Sequence, residues 1–364
     1  GLCVPLLALQ LGATYGDLGR ISAAGALTYS VSCLLSGRLA DRLGYRKVMS
    51  VAAGMIVAIF VLYLFSSLIL HLLALSIATG LALSGFWPSL QAWIGRGKER
   101  HGLRKVLGGF NLSWTLGTMV GPILGGYLFE IDPRRAFALG AVLVGIVFTG
   151  LLALRLKEVR PEMSGESADS FPESAYFLPM AWWANLASFF VTGILRSLFP
   201  KLATDLLISP SVLGYLFACR SLAQLLTFLV LTRTHRWQSR LLPLLSVQIF
   251  AIFGLCLFVF ARSTVLFAIG FAIHGLQTGT TFASSIFYSL FAQKKGGKRS
   301  GIHESLVGIG FFLGPLTGGL VADYLGPRTP YLFSMGIVIL ALGIQIMLFV
   351  KRSKLPSPGR NENG

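Results

Sequence analysis

The chain has 364 residues, of which 54% are hydrophobic and only 12% charged, so it carries too little polar surface to cover a water-soluble globule. Its net charge of +17 is parcelled into short runs between apolar stretches. A nucleic-acid binder gathers such charge on one face of a soluble domain, so that class is excluded and an all-α integral membrane protein is expected. Cys3, Cys33, Cys219 and Cys256 each stand alone inside apolar sequence, which indicates neither a metal site nor a disulfide framework.

In chain order, the apolar stretches run from about residue 2 to 13, 18 to 40, 48 to 65, 68 to 94, 106 to 129, 136 to 156, 177 to 199, 212 to 231, 241 to 260, 265 to 291, 306 to 321 and 331 to 350. All but the first suit a helix crossing about 30 Å of hydrocarbon at about 1.5 Å per residue. Residues 157–176 carry five acids among Pro, Ser and Gly and read as a solvated linker. The predicted organisation is therefore a six-span N-terminal bundle over residues 1–156, the linker, a six-span C-terminal bundle over 177–350, and a tail over 351–364.

The second and third stretches are joined by Gly37-Arg38-Leu39-Ala40-Asp41-Arg42-Leu43-Gly44-Tyr45-Arg46-Lys47, a run of one acid and four bases. Short loops rich in Lys and Arg stay in the cytoplasm. Placing this run there and alternating sides puts 23 of the 31 Lys and Arg residues on cytoplasmic segments and six on outer ones, with Arg196 and Arg220 inside helices. The linker and tail are then cytoplasmic. Gly37 and Gly44 are expected to turn the backbone sharply, and Asp41 to pair with an arginine or cap a helix.

The halves repeat. Pro5, Leu18-Gly19 and Gly80 recur 195 residues later as Pro200, Leu213-Gly214 and Gly275, and Gly121-Pro122 with Gly125-Gly126 recurs 193 residues later as Gly314-Pro315 with Gly318-Gly319. A near-constant interval over five spans is a parallel internal repeat. By the same interval the partner of the seventh span would start about 18 residues before Gly1, so most of the first helix is expected to be absent from this sequence.

The wording G-x-L-A-D-R-x-G-x-R-K resembles the loop between the second and third helices of the major facilitator superfamily. The fifth stretch, with Gly108, Gly117, Gly121, Pro122, Gly125 and Gly126, is similar to the glycine-proline pattern of that family's drug and metabolite antiporters. The resemblance implies twelve helices in two six-helix bundles around a midplane cavity, and transport by alternating access in the cell membrane. It also implies a cytoplasmic latch in which Asp41, Arg42 and Arg46 take part; an ordinary orienting loop is the plainer alternative. From the residues alone, Gly117, Gly121 and Gly125 recur every fourth position and should clear a face for close helix contact, while Pro122 should kink the rod.

Arg220 lies near the middle of the eighth span with no acid in view, which points to a water-filled cavity and an anionic substrate group, with Arg196 on the seventh span as a second contact; a structural tie is the alternative. His274 on the tenth span is the visible titratable group at depth, so protons are a candidate coupling ion, carried by it or by a carboxylate in the absent part of helix 1. Ser76 stands where the family's proton-coupled exporters have an arginine. By the resemblance, Trp87, Gln91, Trp114, Asn185 and Gln277 are further cavity contacts, while Trp93, Trp182 and Trp237, near helix ends, are expected interfacial anchors.

No Walker loop, HExxH or nucleophile elbow is present, so neither ATP use, nor an enzyme, nor a cofactor is expected. The expected partners are membrane lipid and a small solute, with the protein a monomer. Export of an amphiphile by exchange, uptake of a small organic anion, and a non-transporting receptor or lipid-handling role all remain open.

Overall fold

The computed structural model describes residues 2–95, 100–153, 172–234, 236–238, 240–291 and 296–353. It holds α1 (Cys3–Gln10), α2 (Tyr15–Leu43), α3 (Tyr45–Tyr63), α4 (Ile69–Gly95), α5 (Arg100–Ile131), α6 (Pro133–Ala153), α7 (Pro172–Ser197), α8 (Phe199–Asp205), α9 (Pro210–Arg233), α10 (Leu242–Phe260), α11 (Thr264–Phe291), α12 (Gly296–Leu325) and α13 (Thr329–Ser353). Among the described residues there is no strand, and nine helices are long and apolar enough to cross a bilayer. The helices alternate in direction between a basic end, carrying Gly44, Arg46 and Arg240, and an opposite end, carrying Asp17, Glu130 and Asp323.

Each half is a bundle. In the first, α4 packs on α2 and α3, and α3 on α6; in the second, α7 packs on α11, α12 and α13, and α11 on α9 and α10. Two long seams join the halves, α2 against α12 and α5 against α9. Lipid is as apolar as a leucine side chain, so helices associate in it through van der Waals fit and hydrogen bonds, and small residues set how closely they approach.

The repeat read from the sequence is physical. A methyl group at Gly19 of α2 would strike the Pro315 carbonyl of α12, and one at Gly214 of α9 would strike the Pro122 carbonyl of α5. Gly319 meets the Tyr15 backbone as Gly126 meets that of Pro210. Within the halves, Gly80 abuts the Gly25 carbonyl and Gly275 the Arg220 carbonyl.

Several expectations need correction. Gly37 does not turn the chain: α2 continues through it to Leu43, and the connection shrinks to Gly44 alone, at φ 90 and ψ 139. Arg46 serves its own bundle: its Nε donates to the Leu151 carbonyl at 2.8 Å and its guanidinium also to Leu152, so it caps the end of α6. Arg42 is exposed, while the surroundings of Gly37 and the side chain of Asp41 lie outside what is described. The seventh stretch is broken at Leu198 between α7 and α8, where Pro200 lies in the first turn of α8 and removes a backbone donor. The predicted linker is shorter at its far end, because α7 starts at Pro172, and α13 continues to Ser353. Nor is Trp237 a surface anchor. It is 9% exposed, donates to the Leu231 carbonyl at 3.0 Å and stacks edge-on against Phe287.

The Gly44 conformation belongs to a region that side chains with a Cβ rarely enter. Gly44→Ala is expected to destabilise the protein by about 1–3 kcal/mol. Thermal unfolding of the detergent-solubilised variant checks this, and an unchanged midpoint would show that α2 and α3 can rejoin by another geometry.

Candidate functional site

A polar seam runs between α7 and α11. On α7, Asn185, Ser188, Thr192 and Arg196 follow one another at intervals of three, four and four residues and so share one helix face. On α11, His274, Gln277, Thr278 and Thr281, at positions i, i+3, i+4 and i+7, also share one face. The two stripes meet: Thr192 Oγ1 lies 2.9 Å from His274 Nε2, and Ser188 Oγ donates to Thr278 Oγ1 at 3.3 Å. Asn185, Ser188, Gln277, Thr278 and Thr281 are fully buried and His274 nearly so.

Hydrogen counting gives the histidine tautomer. Thr192 spends its single hydroxyl proton on the Ser188 carbonyl at 2.8 Å, so Nε2 of His274 must donate to Thr192. Nδ1, 2.9 Å from the Gln277 amide, is then an acceptor in the neutral ring, and Gln277 should present its NH2 to it.

Arg220 is the eleventh of 24 residues in α9, about 15 Å from that helix's start and near the middle of the span. Gly275 clears room for its backbone, as Gly80 does at the equivalent place in the other half. The residue is half-buried, and its Nε is buried without a hydrogen-bond partner. Arg196, exposed on an otherwise buried stretch of α7, is close enough to repel it. Arg20 pairs with Asp17 and Lys201 with Asp205, whereas among the described residues neither Arg196 nor Arg220 has an acidic partner. Two like charges that repel each other with no acid to offset them are both met by an anion with hydrogen-bond acceptors.

Other polar atoms in the seam are also unpartnered: both amide atoms of Asn185, and the amide atom of Gln277 that faces away from His274. Each such buried group costs on the order of 1–3 kcal/mol, which is tolerated where a ligand or water completes it.

The structure thus brings together Arg220, Arg196, His274, Gln277 and Asn185 in one half. Among the described residues no hydrogen bond, ion pair or ring contact joins the N-terminal candidates to them. Trp87 is half-buried and packs edge-on against Phe86 and Phe110 within the first bundle, Trp114 is 38% exposed on α5, and the side chain of Gln91 lies outside the described residues. The fifth-helix reading is also corrected. Gly117 and Gly121 meet open space, Gly125 meets Cys3 Sγ, and the close helix contact is made at Gly126 with Pro122's own carbonyl against Gly214; Gly108 lies in α5 outside the residues whose surroundings are described. Ser188 and Thr192 were missed, although their spacing in phase with Asn185 and Arg196 signals them.

The sequence profile of the Major Facilitator Superfamily matches this chain twice, over residues 2–179 and 181–364. The chain belongs to that superfamily. It is 23% identical over 369 residues to the uncharacterized MFS-type transporter MJ1560 of Methanocaldococcus jannaschii, covering 97% of this chain and 94% of the relative. It is 24% identical over 383 residues to the quinolone resistance protein NorA of Staphylococcus aureus, covering 97% and 93%. Among solved structures, an occupied, inward-facing bacterial homolog of the human lysosomal transporter Spinster superposes with a TM-score of 0.76 at 12% identity, covering 98% of this chain and 94% of the other. The nucleoside transporter NupG gives 0.69 at 14% identity, covering 96% and 94%. The protein is a multi-pass membrane transporter of this fold.

Proposed function

We propose that the protein is a secondary active transporter that moves a small organic anion by alternating access, with the basic end in the cytoplasm and residues 154–171 linking two rocking halves. The single observation that carries the reading is the unpaired Arg220 near mid-membrane beside Arg196, over a buried seam of unpartnered amides. Arg220 and Arg196 hold the anionic group, Asn185 and Gln277 bind its polar body, and neutral His274 orients Gln277. Export by exchange is favoured over uptake by two observations, the glycine-proline pattern of α5 and the likeness to NorA, and proton exchange through His274 is the coupling that goes with it.

The test is transport into sealed liposomes holding the purified protein. Aromatic and aliphatic carboxylates, phosphate esters and their neutral methyl-ester counterparts are offered under imposed solute and pH gradients. Anions should move at least tenfold faster than their esters. Equal rates for acids and esters would overturn the anion assignment, and protein-independent leakage alone for every solute would favour a receptor or lipid-handling role.

A further inference from the structure

Where the two halves meet at the end opposite Gly44, each lends a carboxylate to a helix of the other. Asp323, near the end of α12, accepts the Tyr15 N–H at 3.1 Å and the Gly16 N–H at 2.9 Å, the first two amides of α2. Glu130, near the end of α5, accepts the Ser211 N–H of α9 at 3.1 Å. Glu130 and Asp323 are 193 residues apart, the interval that also separates Gly126 from Gly319. They are therefore equivalent positions of the repeat performing the same task on opposite sides of the molecule.

The amides at each helix start are fully accounted for. In α2 the Asp17 N–H bonds Thr14 Oγ1 at 3.1 Å and the Leu18 N–H bonds the Thr14 carbonyl at 3.2 Å, which leaves Tyr15 and Gly16 for Asp323. In α9 the Val212 N–H turns to Ser209 Oγ and the Leu213 N–H to the Ser209 carbonyl, and Pro210 has no N–H, so a single amide remains for Glu130. Gly16 also clears the seat for the carboxylate, since a Cβ there would lie 2.5 Å from Asp323 Oδ2. Around the Asp323 seat, Tyr15 Oη donates to Asp205 Oδ2 at 3.0 Å, a further bridge between α2 and α8.

We infer that Asp323 and Glu130 are paired gating residues of the transport cycle, each an anionic cap that holds a helix start of the opposite half while this end is closed. A negative charge at a helix start meets both free N–H groups and the positive end of the helix dipole, so each cap binds more strongly than a neutral side chain would. Opening this end pulls α2 from α12 and α9 from α5 and breaks both caps. The doubly bonded Asp323 is the stronger of the two.

This inference rests on the alternating-access reading, and the measurement separates them. The four native cysteines are replaced, Phe65→Cys and Arg262→Cys carry spin labels on the two halves at this end, and pulsed electron spin resonance reads their distance in liposomes without any solute. Asp323→Asn should raise the ratio of open to closed populations about tenfold, Glu130→Gln less, and the double variant more than either, with Asp323→Glu restoring part of the closed population. Asp132→Asn, whose carboxylate serves the Arg134 amide in its own half, should leave the distribution unchanged. A label pair within one half, Phe65→Cys with Arg135→Cys, should keep one distance in every variant, and loss of that distance on Asp323→Asn would make the residue a fold determinant and overturn the gating role. Gly19→Trp, which wedges α2 off Pro315, separates the remaining cases: an open population with the wedge but not with the double carboxylate variant overturns the caps alone, and no open population with either overturns alternation itself.

Discussion

Tryptophan at both Gly19 and Gly214 will hold the end opposite Gly44 open and reduce transport at least about a hundredfold. The two glycines are repeat equivalents on the two seams between the halves, and each faces a backbone carbonyl of the other half, Pro315 for Gly19 and Pro122 for Gly214. Overpacking costs about 1–3 kcal/mol where side chains can adjust. Here the obstacles are carbonyl groups on proline-bearing helix turns, which cannot rotate away. Two such clashes together approach the ~5.5 kcal/mol that turns a 99:1 equilibrium into 1:99. The seams part most easily as rigid bodies, so the variant should keep its secondary structure and still bind solute while losing turnover. Solute flux together with thiol labelling at Phe65→Cys and Arg262→Cys checks this. Normal flux would mean that the seams are not the hinges of the cycle. By contrast, leucine at Gly121 meets open space in this state and is expected to perturb packing far less.

How much of this was legible in the sequence depends on what kind of physics carried each feature. Membrane class, spans and repeat follow from hydropathy and residue intervals, and Gly19 against Gly214 shows the repeat reaching down to single backbone contacts. Arg220 was legible because a lone cation in an apolar span is costly wherever it points. Partners across space were not. The run Gly37 to Lys47 reads as a loop because it is charged, yet helical hydrogen bonding continues through charges that can reach the bilayer surface, and only Gly44, at positive φ, interrupts it. Likewise the every-fourth-residue glycines of α5 predicted a contact face. Sequence spacing identifies a face but not its neighbour, and in this state Gly126 takes the contact while Gly117 and Gly121 do not. The acids Glu130 and Asp323 read as helix-end residues; their partners are backbone amides, which every residue but proline possesses and which leave no signal in a sequence.

Arg220→Gln is expected to weaken binding of an anionic solute by about 10- to 150-fold, the equivalent of about 1.5–3 kcal/mol for a hydrogen bond to a charged group. The loss stems from the geometry around the guanidinium: Nε is buried without a partner, Arg196 repels it, and no acid among the described residues compensates, so removing the charge relieves the empty protein while depriving the ligand. That combination sets the sign of a second observable. The ligand-free variant should be as stable as the wild type or more so, whereas a structural arginine would leave it less stable. Arg220→Lys should fall between, because an ammonium keeps the charge but cannot offer two parallel donors to a carboxylate or phosphate. Ligand-induced thermal stabilisation across carboxylates, phosphate esters and their neutral esters measures both quantities in one titration series. Equal stabilisation of wild type and Arg220→Gln by every anion would remove Arg220 from the site, and a lowered ligand-free midpoint with unchanged anion preference would assign it to the fold instead.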